Sequence, residues 1–454
     1  MSDKSITNLG EGNVFKLLLQ YAIPSVIAMT AASLYNITDS IFIGQGVGAL
    51  AISGLAITFP LMNLAAAFGS LVGIGAATLM SLRLGQKDWD SASKILGNVF
   101  ILNIIFGLIY TVVILYFLEP ILLFFGASNE TLPYAKEYMS VITAGNVITH
   151  NYMGLNALLR ASGAPGKSMR ATIFSVIINA ILTPLFIYQF HLGIMGAAIA
   201  TIISQLVVLI WQIAHFTDSR REIRLKRENF KLDLKIAKDS LLIGTSPFLL
   251  HSVSSVIVIV FNQALIRHGG DLAVGAYGII NRFASLFVMI VLGINQGMQP
   301  IAGYNFGAGN IGRVNQVLKY AILFATVIVT SGFLLGELFP TFVSRLFTRD
   351  RELEKIVVSG FRIVFAAYPL IGFQIVISNF FQSIGHPSKS IMLTLSRQVI
   401  FLLPFLIIFP NLWGVKGVWL SIPASDAAAS VLSIYMLLVQ YRKLQRDKLK
   451  THRL

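Results

Sequence analysis

The sequence lacks cysteine and contains few charged residues. Among its 454 residues there is no cysteine, and Asp, Glu, Lys and Arg together make up only 12%. The absence of cysteine excludes disulfides, thiol chemistry and cysteine-ligated metal sites. Soluble domains carry about 25% charged residues, so this composition also excludes an ordinary soluble protein. Hydrophobic residues instead make up 55% of the chain, which indicates a membrane protein with many spans.

The apolar segments are long enough to cross a membrane as helices. About twelve runs of about 20 residues or more are separated by Gly, Pro and charged residues. They lack the alternating apolar and polar pattern of a membrane β-barrel. We therefore predict an all-α polytopic membrane protein and, since no catalytic motif is present, not an enzyme. The predicted spans lie near 14–43, 51–82, 95–118, 135–161, 169–190, 193–216, 241–267, 273–302, 317–338, 355–384, 390–410 and 414–440.

The positive charge of the chain is confined to particular loops. The formal net charge of +15 comes from 35 Lys and Arg against 20 Asp and Glu. An excess of basic residues marks the cytoplasmic loops of membrane proteins, so we predict a multi-pass protein of the cell membrane with both termini cytoplasmic. Because the bases lie in these loops, we expect the lipid bilayer rather than nucleic acid as a partner. Prominent basic positions are Lys87, Lys167, Arg224, Arg313, Lys389 and the tail from Tyr441.

The chain contains an internal repeat. At an offset of about 222 residues, Gly163-Ala-Pro165 falls on Gly385-His-Pro387, and several other glycines also coincide. We therefore predict two six-helix bundles related by an axis along the membrane normal, with a substrate cleft between them. The predicted domains are an N-terminal six-helix lobe at 1–216, a cytoplasmic basic linker at 217–240, a C-terminal six-helix lobe at 241–440 and a basic cytoplasmic tail at 441–454.

The first predicted span contains a single acid. Asp39 is the only charged residue between Leu17 and Ile43. A carboxylate inside a membrane span costs at least about 2.5 kcal/mol and normally faces a bundle interior or a watery cavity. Tyr35 lies one helical turn before it and can share that face. The repeat places Asn262 opposite Asp39, so the acid occurs in one half only. We interpret it as a functional group, with a capped helix end as the alternative.

One glycine-rich segment resembles a phosphate-binding loop. Ala161-Ser-Gly163-Ala-Pro-Gly166-Lys167-Ser168 lacks the leading glycine of that loop, and membrane spans lie on both sides. The repeat copy has Ser388 in place of Gly166. We therefore predict a tight turn, and no ATP-hydrolysing site within this chain.

Other polar residues lie within predicted spans. His150, with Asn151 and Asn156 nearby, could join helices by hydrogen bonds or relay protons, and these three residues are also candidates for the substrate cleft. Gln296 and Gln299 could line the cleft or allow close helix packing. Asp426 is a second intramembrane acid, for which we predict structural pairing. Arg397 is predicted to extend its charge towards the nearer membrane surface.

Several motifs together resemble the multidrug and toxic compound extrusion (MATE) family, close to its MepA-type bacterial exporters. The resemblance covers nearly the whole chain. It implies a twelve-helix, two-lobed antiporter that expels cationic amphipathic compounds in exchange for protons or sodium. The motifs are Asp39-Ser-Ile-Phe-Ile-Gly44, Leu159-Arg160-Ala-Ser-Gly163, Gly297-Met-Gln-Pro300-Ile-Ala-Gly-Tyr304-Asn-Phe-Gly307, Phe380-Phe-Gln-Ser-Ile-Gly385, Ser396-Arg397-Gln398 and Pro423-Ala-Ser-Asp426.

The resemblance also implies a cation or proton site in the N-terminal lobe. By their positions in the family motifs, Asp39, Asn179, Thr201 and Tyr35 would belong to it. Thr183 would belong to it as well, but it departs from the family, because related exporters often carry a second aspartate there. Hard cations favour several oxygen ligands including carboxylates, so we expect proton rather than sodium coupling, with Asp39 as the coupling acid.

Two other functions are compatible with parts of this pattern. A lipid-linked saccharide flippase of the same superfamily would also have an internal cleft, although a strongly basic one. A membrane receptor or scaffold would explain neither the duplication nor the single buried acid. We expect small cationic substrates, no cofactor or metal and no obligate protein partner.

Overall fold

The predicted all-α membrane fold is confirmed. A computed structural model describes residues 2–347 and 350–451, and these residues contain helices and no strands. Eleven helices in the described part are long and apolar enough to span a membrane. A twelfth span, over the predicted 135–161 segment, is broken into two helices at Gly145. A Cβ at Gly145 would lie 2.4 Å from the Ile202 side chain, so the glycine permits a close approach between helices.

The N-terminal lobe contains six membrane segments and two shorter helices. Directly beyond Pro184 the chain continues in a π-helical turn over Leu185–Gln189. The helices are α1 (Ser2–Glu11), α2 (Val14–Gly46), α3 (Ala49–Gly85), α4 (Trp89–Tyr116), α5 (Leu118–Phe124), α6 (Leu132–Ala144), α7 (Asn146–Ala161), α8 (Pro165–Pro184) and α9 (Gly193–Thr217).

The C-terminal lobe repeats this arrangement. Its first two spans form one element, α10, with a break at Gly270. A second π-helical segment covers Ser396–Leu402. Helix α17 continues past residue 440 to Thr451, so the predicted boundary between lobe and tail is not a helix end. The helices are α10 (Leu234–Gly307), α11 (Ile311–Leu338), α12 (Pro340–Arg345), α13 (Arg351–Val364), α14 (Tyr368–Ser383), α15 (Pro387–Leu395), α16 (Leu403–Trp413) and α17 (Val415–Thr451).

Local sequence signals account for several helix starts. The carboxylate of Asp88 accepts from the backbone N–H of Ser91 at the start of α4, and Asp233 caps α10 in the same way. These side chains satisfy backbone donors that have no partner within the helix. Backbone and side-chain hydrogen bonds from Ser91, together with Arg83 nearby, also lower the pKa of Asp88. Pro165 and Pro387 begin α8 and α15, where a missing N–H costs nothing.

The backbone conformation repeats with the sequence. Gly163 and Gly385 have φ values of 84° and 73°, so the segment that resembles a phosphate-binding loop is the same tight turn in both halves. This conformation favours glycine because it lacks a Cβ. Three further pairs of repeat-related positions also have positive φ: Gly48 and Gly270, Lys87 and Gly309, and Gly193 and Gly414.

The two lobes pack closely at the end that carries the linker of residues 218–233. A Cβ at Gly85 would lie 1.9 Å from the carbonyl oxygen of Tyr304, and one at Gly307 would lie 2.1 Å from that of Leu82. These two contacts are related by the repeat. Gly75 approaches Gly244 in the same manner. Only glycine allows such backbone contact, so the glycines bring the lobes together at this end.

Helix α1 lies across this closed end. Ile6 is buried in the core of the N-terminal lobe, while Leu9 is buried in the core of the C-terminal lobe. The Leu9 carbonyl oxygen accepts hydrogen bonds from Asn305 Nδ2 at 2.8 Å and from an Arg313 guanidinium nitrogen at 3.1 Å. Arg313 also donates to the Gly12 carbonyl oxygen at 2.7 Å. The N-terminal helix therefore contacts both lobes.

Candidate functional site

The N-terminal lobe brings Asp39, Thr183 and Asn179 into one buried cluster. Thr183 Oγ1 lies 3.1 Å from Asp39 Oδ1 and 3.2 Å from Asn179 Oδ1. Thr183 is fully buried, and Asp39 is only 5% exposed. Asp39 comes from α2, whereas Asn179 and Thr183 lie one turn apart on α8. The contact therefore joins two helices that are far apart in sequence.

Thr201 on α9 extends this cluster to Tyr35. Its hydroxyl donates to the Ala197 carbonyl oxygen at 3.0 Å, so its oxygen acts as the acceptor for its other partners. Asn179 Nδ2 donates to it at 3.2 Å, and the Tyr35 hydroxyl lies 2.7 Å away. A chain of contacts within hydrogen-bonding distance therefore runs from Asp39 through α8 and α9 and returns to α2 at Tyr35. The structure brings all five residues implied by the resemblance together.

The carboxylate of Asp39 lies apart from basic side chains in the described part of the chain. Among the described residues, no Lys, Arg or His nitrogen lies within 4.0 Å of Asp39. The described residues also contain no cluster of three or more His, Cys, Asp and Glu side chains that could hold a metal ion. The other groups at the site are neutral oxygens and an amide. A buried, unpaired carboxylate is costly, and protonation or a bound cation would remove that cost.

A cavity of about 310 Å³ lies between the lobes. Its walls are mostly apolar and carry several amides and hydroxyls. Both lobes contribute, including Met29, Gly73 and Met153 from the N-terminal lobe and Leu250, Gln382 and Arg397 from the C-terminal lobe. We call it the central cavity. Its position agrees with the cleft predicted from the repeat.

Gln296 and Gln299 line the central cavity and also connect the lobes. Gln299 Nε2 donates to Thr78 Oγ1 at 2.6 Å and to the Ile74 carbonyl oxygen at 3.2 Å, both on α3. Gln296 Nε2 lies 3.2 Å from the Met29 sulfur on α2. The two predicted roles of these residues, cleft lining and helix packing, therefore occur together.

The other three cleft candidates do not line the central cavity. His150 Nε2 donates to the Ala65 carbonyl oxygen at 2.9 Å, which joins α7 to α3. Asn156 Nδ2 donates to Thr172 Oγ1 at 3.0 Å, which joins α7 to α8. Asn151 bonds to the Val147 carbonyl oxygen within α7. His150 and Asn156 thus join helices within the N-terminal lobe, whereas the bond of Asn151 stays within its own helix.

The prediction that Arg397 extends towards the membrane surface is wrong. Arg397 lines the central cavity, and its Nε donates to Asp426 Oδ1 at 2.8 Å. Asp426 is 1% exposed, so the carboxylate of this ion pair is removed from water. The π-helical turn of Ser396–Leu402 carries Arg397, and such turns alter the direction of a side chain relative to a regular helix. Structural pairing was predicted for Asp426, and the structure shows that its partner is Arg397.

A second, larger cavity lies at the end opposite the linker. It has a volume of about 970 Å³ and separates α2 and α3 from the second half of α10. Its walls are mainly apolar, with Ile37, Ile41 and Phe59 on one side and Leu286 and Met289 on the other. The lobes are thus packed at one end and separated at the other.

Sequence analysis missed Arg160 as a cavity residue. Arg160 ends α7 and lines the central cavity, where its guanidinium donates to Ser168 Oγ at 2.9 Å. In the sequence it appeared as part of a family motif beside a turn. Its place beside a turn gave no sign of a position at the cavity, and only the packing of the two lobes places it there.

Both halves of the chain match a known family. A family model described as MatE matches residues 24–185 and 247–408. The multidrug export protein MepA of Staphylococcus haemolyticus is 26% identical over 456 residues, covering 99% of this chain and 98% of the relative. MepA of Staphylococcus aureus is 28% identical over 445 residues, covering 96% and 97%.

A solved structure is similar over almost the whole chain. It is described as an outward-facing conformation of a multidrug resistance MATE family transporter of the MOP superfamily. Its TM-score is 0.91 at 26% sequence identity, with 98% of this chain and 99% of that chain covered. The paired six-helix lobes, their cavities and this similarity define a membrane transporter, not an enzyme. The chain belongs to the MATE family, and the resemblance to MepA-type exporters is confirmed.

Proposed function

We propose that this transporter exports cationic amphipathic compounds across the cell membrane by antiport with protons. The similarity to multidrug export proteins over nearly the full chain supports the export of several compounds. The cavities between the lobes have mainly apolar walls, which favour ligands with aromatic or aliphatic surfaces. Loosely directed apolar contacts discriminate poorly between ligands, so broad specificity is expected.

The observation that carries the coupling proposal is the unpaired carboxylate of Asp39. It is buried, has no cationic partner among the described residues and accepts a hydrogen bond from Thr183. A proton requires only one carboxylate, whereas tight sodium sites favour several oxygen ligands including carboxylates. In this cluster Thr183 occupies the place of a second acid. Asp39 would therefore bind a proton in one state of the cycle and release it in the other.

The hydroxyl of Thr183 would transmit the change in protonation of Asp39 to the neighbouring helices. A hydroxyl has one hydrogen and can donate to one acceptor at a time, while two acceptors lie within reach. An ionised Asp39 is the stronger acceptor, because hydrogen bonds to charged groups are shorter and stronger. Protonation of Asp39 would weaken that bond and allow Thr183 to donate to Asn179. The rearrangement would then reach Thr201 and Tyr35 through the hydrogen bonds already described.

The direction of transport follows from the loop charges. The linker and the neighbouring loops are rich in Lys and Arg, so this end is assigned to the cytoplasm together with both termini. The larger cavity would then open towards the outside. Proton entry from outside would protonate Asp39 and favour release of the compound. Rocking of one lobe against the other would return the cavity to the cytoplasmic side.

The test uses sealed proteoliposomes containing the purified transporter. An imposed proton gradient should drive ethidium accumulation against its concentration gradient, and an uncoupler should abolish it. A sodium gradient at constant pH should drive little accumulation. Transport driven by sodium but not by protons would overturn the choice of ion. The absence of gradient-driven ethidium transport with either ion would overturn the antiport proposal.

A further inference from the structure

Arg160 lacks an acidic partner in the described part of the chain. Arg160 lines the central cavity and makes a hydrogen bond to Ser168 Oγ, which is neutral. No Asp or Glu oxygen in the described part of the chain lies within 4.0 Å of its guanidinium. A guanidinium has five N–H donors, so most of its binding capacity remains available. An unpaired charge of this kind in a partly desolvated site favours an anionic partner.

The rest of the central cavity does not supply that partner. None of its lining residues among those the structure describes is Asp or Glu. The other cation in its wall, Arg397, is already paired with Asp426. The remaining polar groups are hydroxyls, a histidine and amides, and both N–H groups of Gln299 already bond to α3. One unpaired positive charge and a set of polar groups therefore face an otherwise apolar space.

We propose that the central cavity binds the oxyanion of an amphipathic ligand, with Arg160 as its counter-ion. The proposal deepens the proposed function, on which it rests in taking the ligand to be a transported compound. Such a compound would carry a carboxylate or phosphate besides its apolar body. A zwitterion would fit both this site and the proposed class of cationic compounds, because its cationic group need not lie near Arg160. Planar guanidinium groups match oxyanions through two parallel N–H donors.

A purely structural role for Arg160 predicts a different effect on ligand binding. Arg160 lies in the last turn of α7, where the helix carbonyls favour a cation. This interaction and the bond to Ser168 would exist with or without a ligand. A structural arginine would therefore affect the binding of acidic and neutralised ligands equally. A counter-ion would affect only the acidic one.

The experiment compares rhodamine B, which carries a carboxylate, with its ethyl ester, which does not. Equilibrium binding to the purified full-length protein is measured by fluorescence polarisation in neutral detergent. We expect the acid to bind about tenfold more tightly than the ester, since a charge-assisted hydrogen bond contributes at this level. Arg160→Gln should remove most of this preference by weakening the acid alone. Arg160→Lys should retain part of it.

Two control variants separate charge from folding. Ser168→Ala removes the hydrogen bond to Arg160 but leaves the charge, so the preference for the acid should persist. Arg362→Gln removes an exposed arginine of α13 that lines neither cavity, and it should leave the preference unchanged. Equal binding of acid and ester by the wild-type protein would overturn the proposal. Equal weakening of acid and ester binding in Arg160→Gln, with no recovery in Arg160→Lys, would also overturn the proposal.

The oxyanion could also come from a lipid headgroup. Binding is therefore repeated in nanodiscs of phosphatidylcholine alone and with added phosphatidylglycerol. Competition by the anionic lipid that disappears in Arg160→Gln would support the site and identify lipid phosphate as an occupant. Competition that persists in the variant would reflect membrane charge, and the acid–ester comparison in detergent would then decide. None of these readouts requires an ion gradient, so failure of proton coupling would be distinguishable from failure of this site.

Discussion

The hydroxyl of Thr183 lies 3.1 Å from Oδ1 of Asp39, across the interface between α8 and α2. The same hydroxyl lies 3.2 Å from Asn179 Oδ1, so one hydrogen is shared between a titratable and a neutral acceptor. The arrangement links the charge of Asp39 to the packing of α2, α8 and α9 with one carboxylate among the described residues of the cluster.

Replacing the coupling carboxylate should separate binding from energised transport. Asp39→Asn preserves the size of the side chain but cannot bind and release a proton. We expect uphill ethidium transport driven by a proton gradient to fall to the level of protein-free vesicles, while ethidium binding persists. Asp90→Asn, at an exposed position near the start of α4, is the matched control and should transport normally. Normal proton-driven transport by Asp39→Asn would exclude this mechanism and make Asp426 the next acid to test.

A second carboxylate in the cluster should change the ion preference. Thr183→Asp would place two acids beside the amide of Asn179 and the hydroxyl of Thr201. Hard cations bind more tightly as carboxylate ligands are added, so sodium should now drive transport or increase its rate. Thr183→Ser keeps the hydroxyl and should remain proton-dependent. The measurement is transport under separate sodium and proton gradients, and an unchanged ion dependence in Thr183→Asp would contradict the role assigned to this position.

The glycine contacts at the linker end should control closure of the lobes. Gly85→Ala or Gly307→Ala would place a Cβ about 2 Å from a backbone carbonyl of the other lobe, so the lobes must separate there. We expect spin labels at Lys87→Cys and Gln316→Cys to show a longer distance in double electron–electron resonance. Gly312→Ala is the control, because nothing lies within 4 Å of its Cβ position. Identical distance distributions in all variants would show that these contacts do not hold the closed end.

The ion pair in the C-terminal lobe should be mainly structural. Arg397→Gln alone leaves the Asp426 carboxylate buried without its partner, and breaking a buried pair costs about 3–5 kcal/mol. Because Arg397 is 29% exposed on its side chain, the measured loss should fall at the lower end. The double variant with Asp426→Asn should recover much of the thermal stability. A double variant as unstable as the sum of both single variants would show that the pair is not coupled.

The orientation in the membrane can be measured directly, because the chain has no cysteine. A single cysteine at Glu222 in the linker should resist membrane-impermeant maleimide in intact cells and react after permeabilisation. A cysteine at Asn129, in the loop between α5 and α6, should react in intact cells. The reverse pattern would place the basic linker outside and would invert the proposed direction of transport.

Composition and internal repetition were sufficient to predict the architecture. Long apolar runs must form helices in a bilayer, because each backbone group needs a partner within its own segment. The repeated Gly163 and Gly385 likewise marked equivalent turns, since positive φ is a local property of the residue. The predicted N-terminal site depended on the family resemblance. Tyr35 and Asp39 share a helix, but nothing local to the chain joins them to Thr201.

The sequence alone determined the class of the fold, the positions of the spans and the single isolated acid in the first span. These depend on hydropathy, local conformation and chemical type, all of which are local. Only the tertiary structure decided the partners of the polar residues. It paired Arg397 with Asp426, left Arg160 facing the central cavity and placed His150 between packed helices. Interhelical contacts depend on helix rotation and on the approach of segments distant in the chain, and one sequence does not specify these quantities.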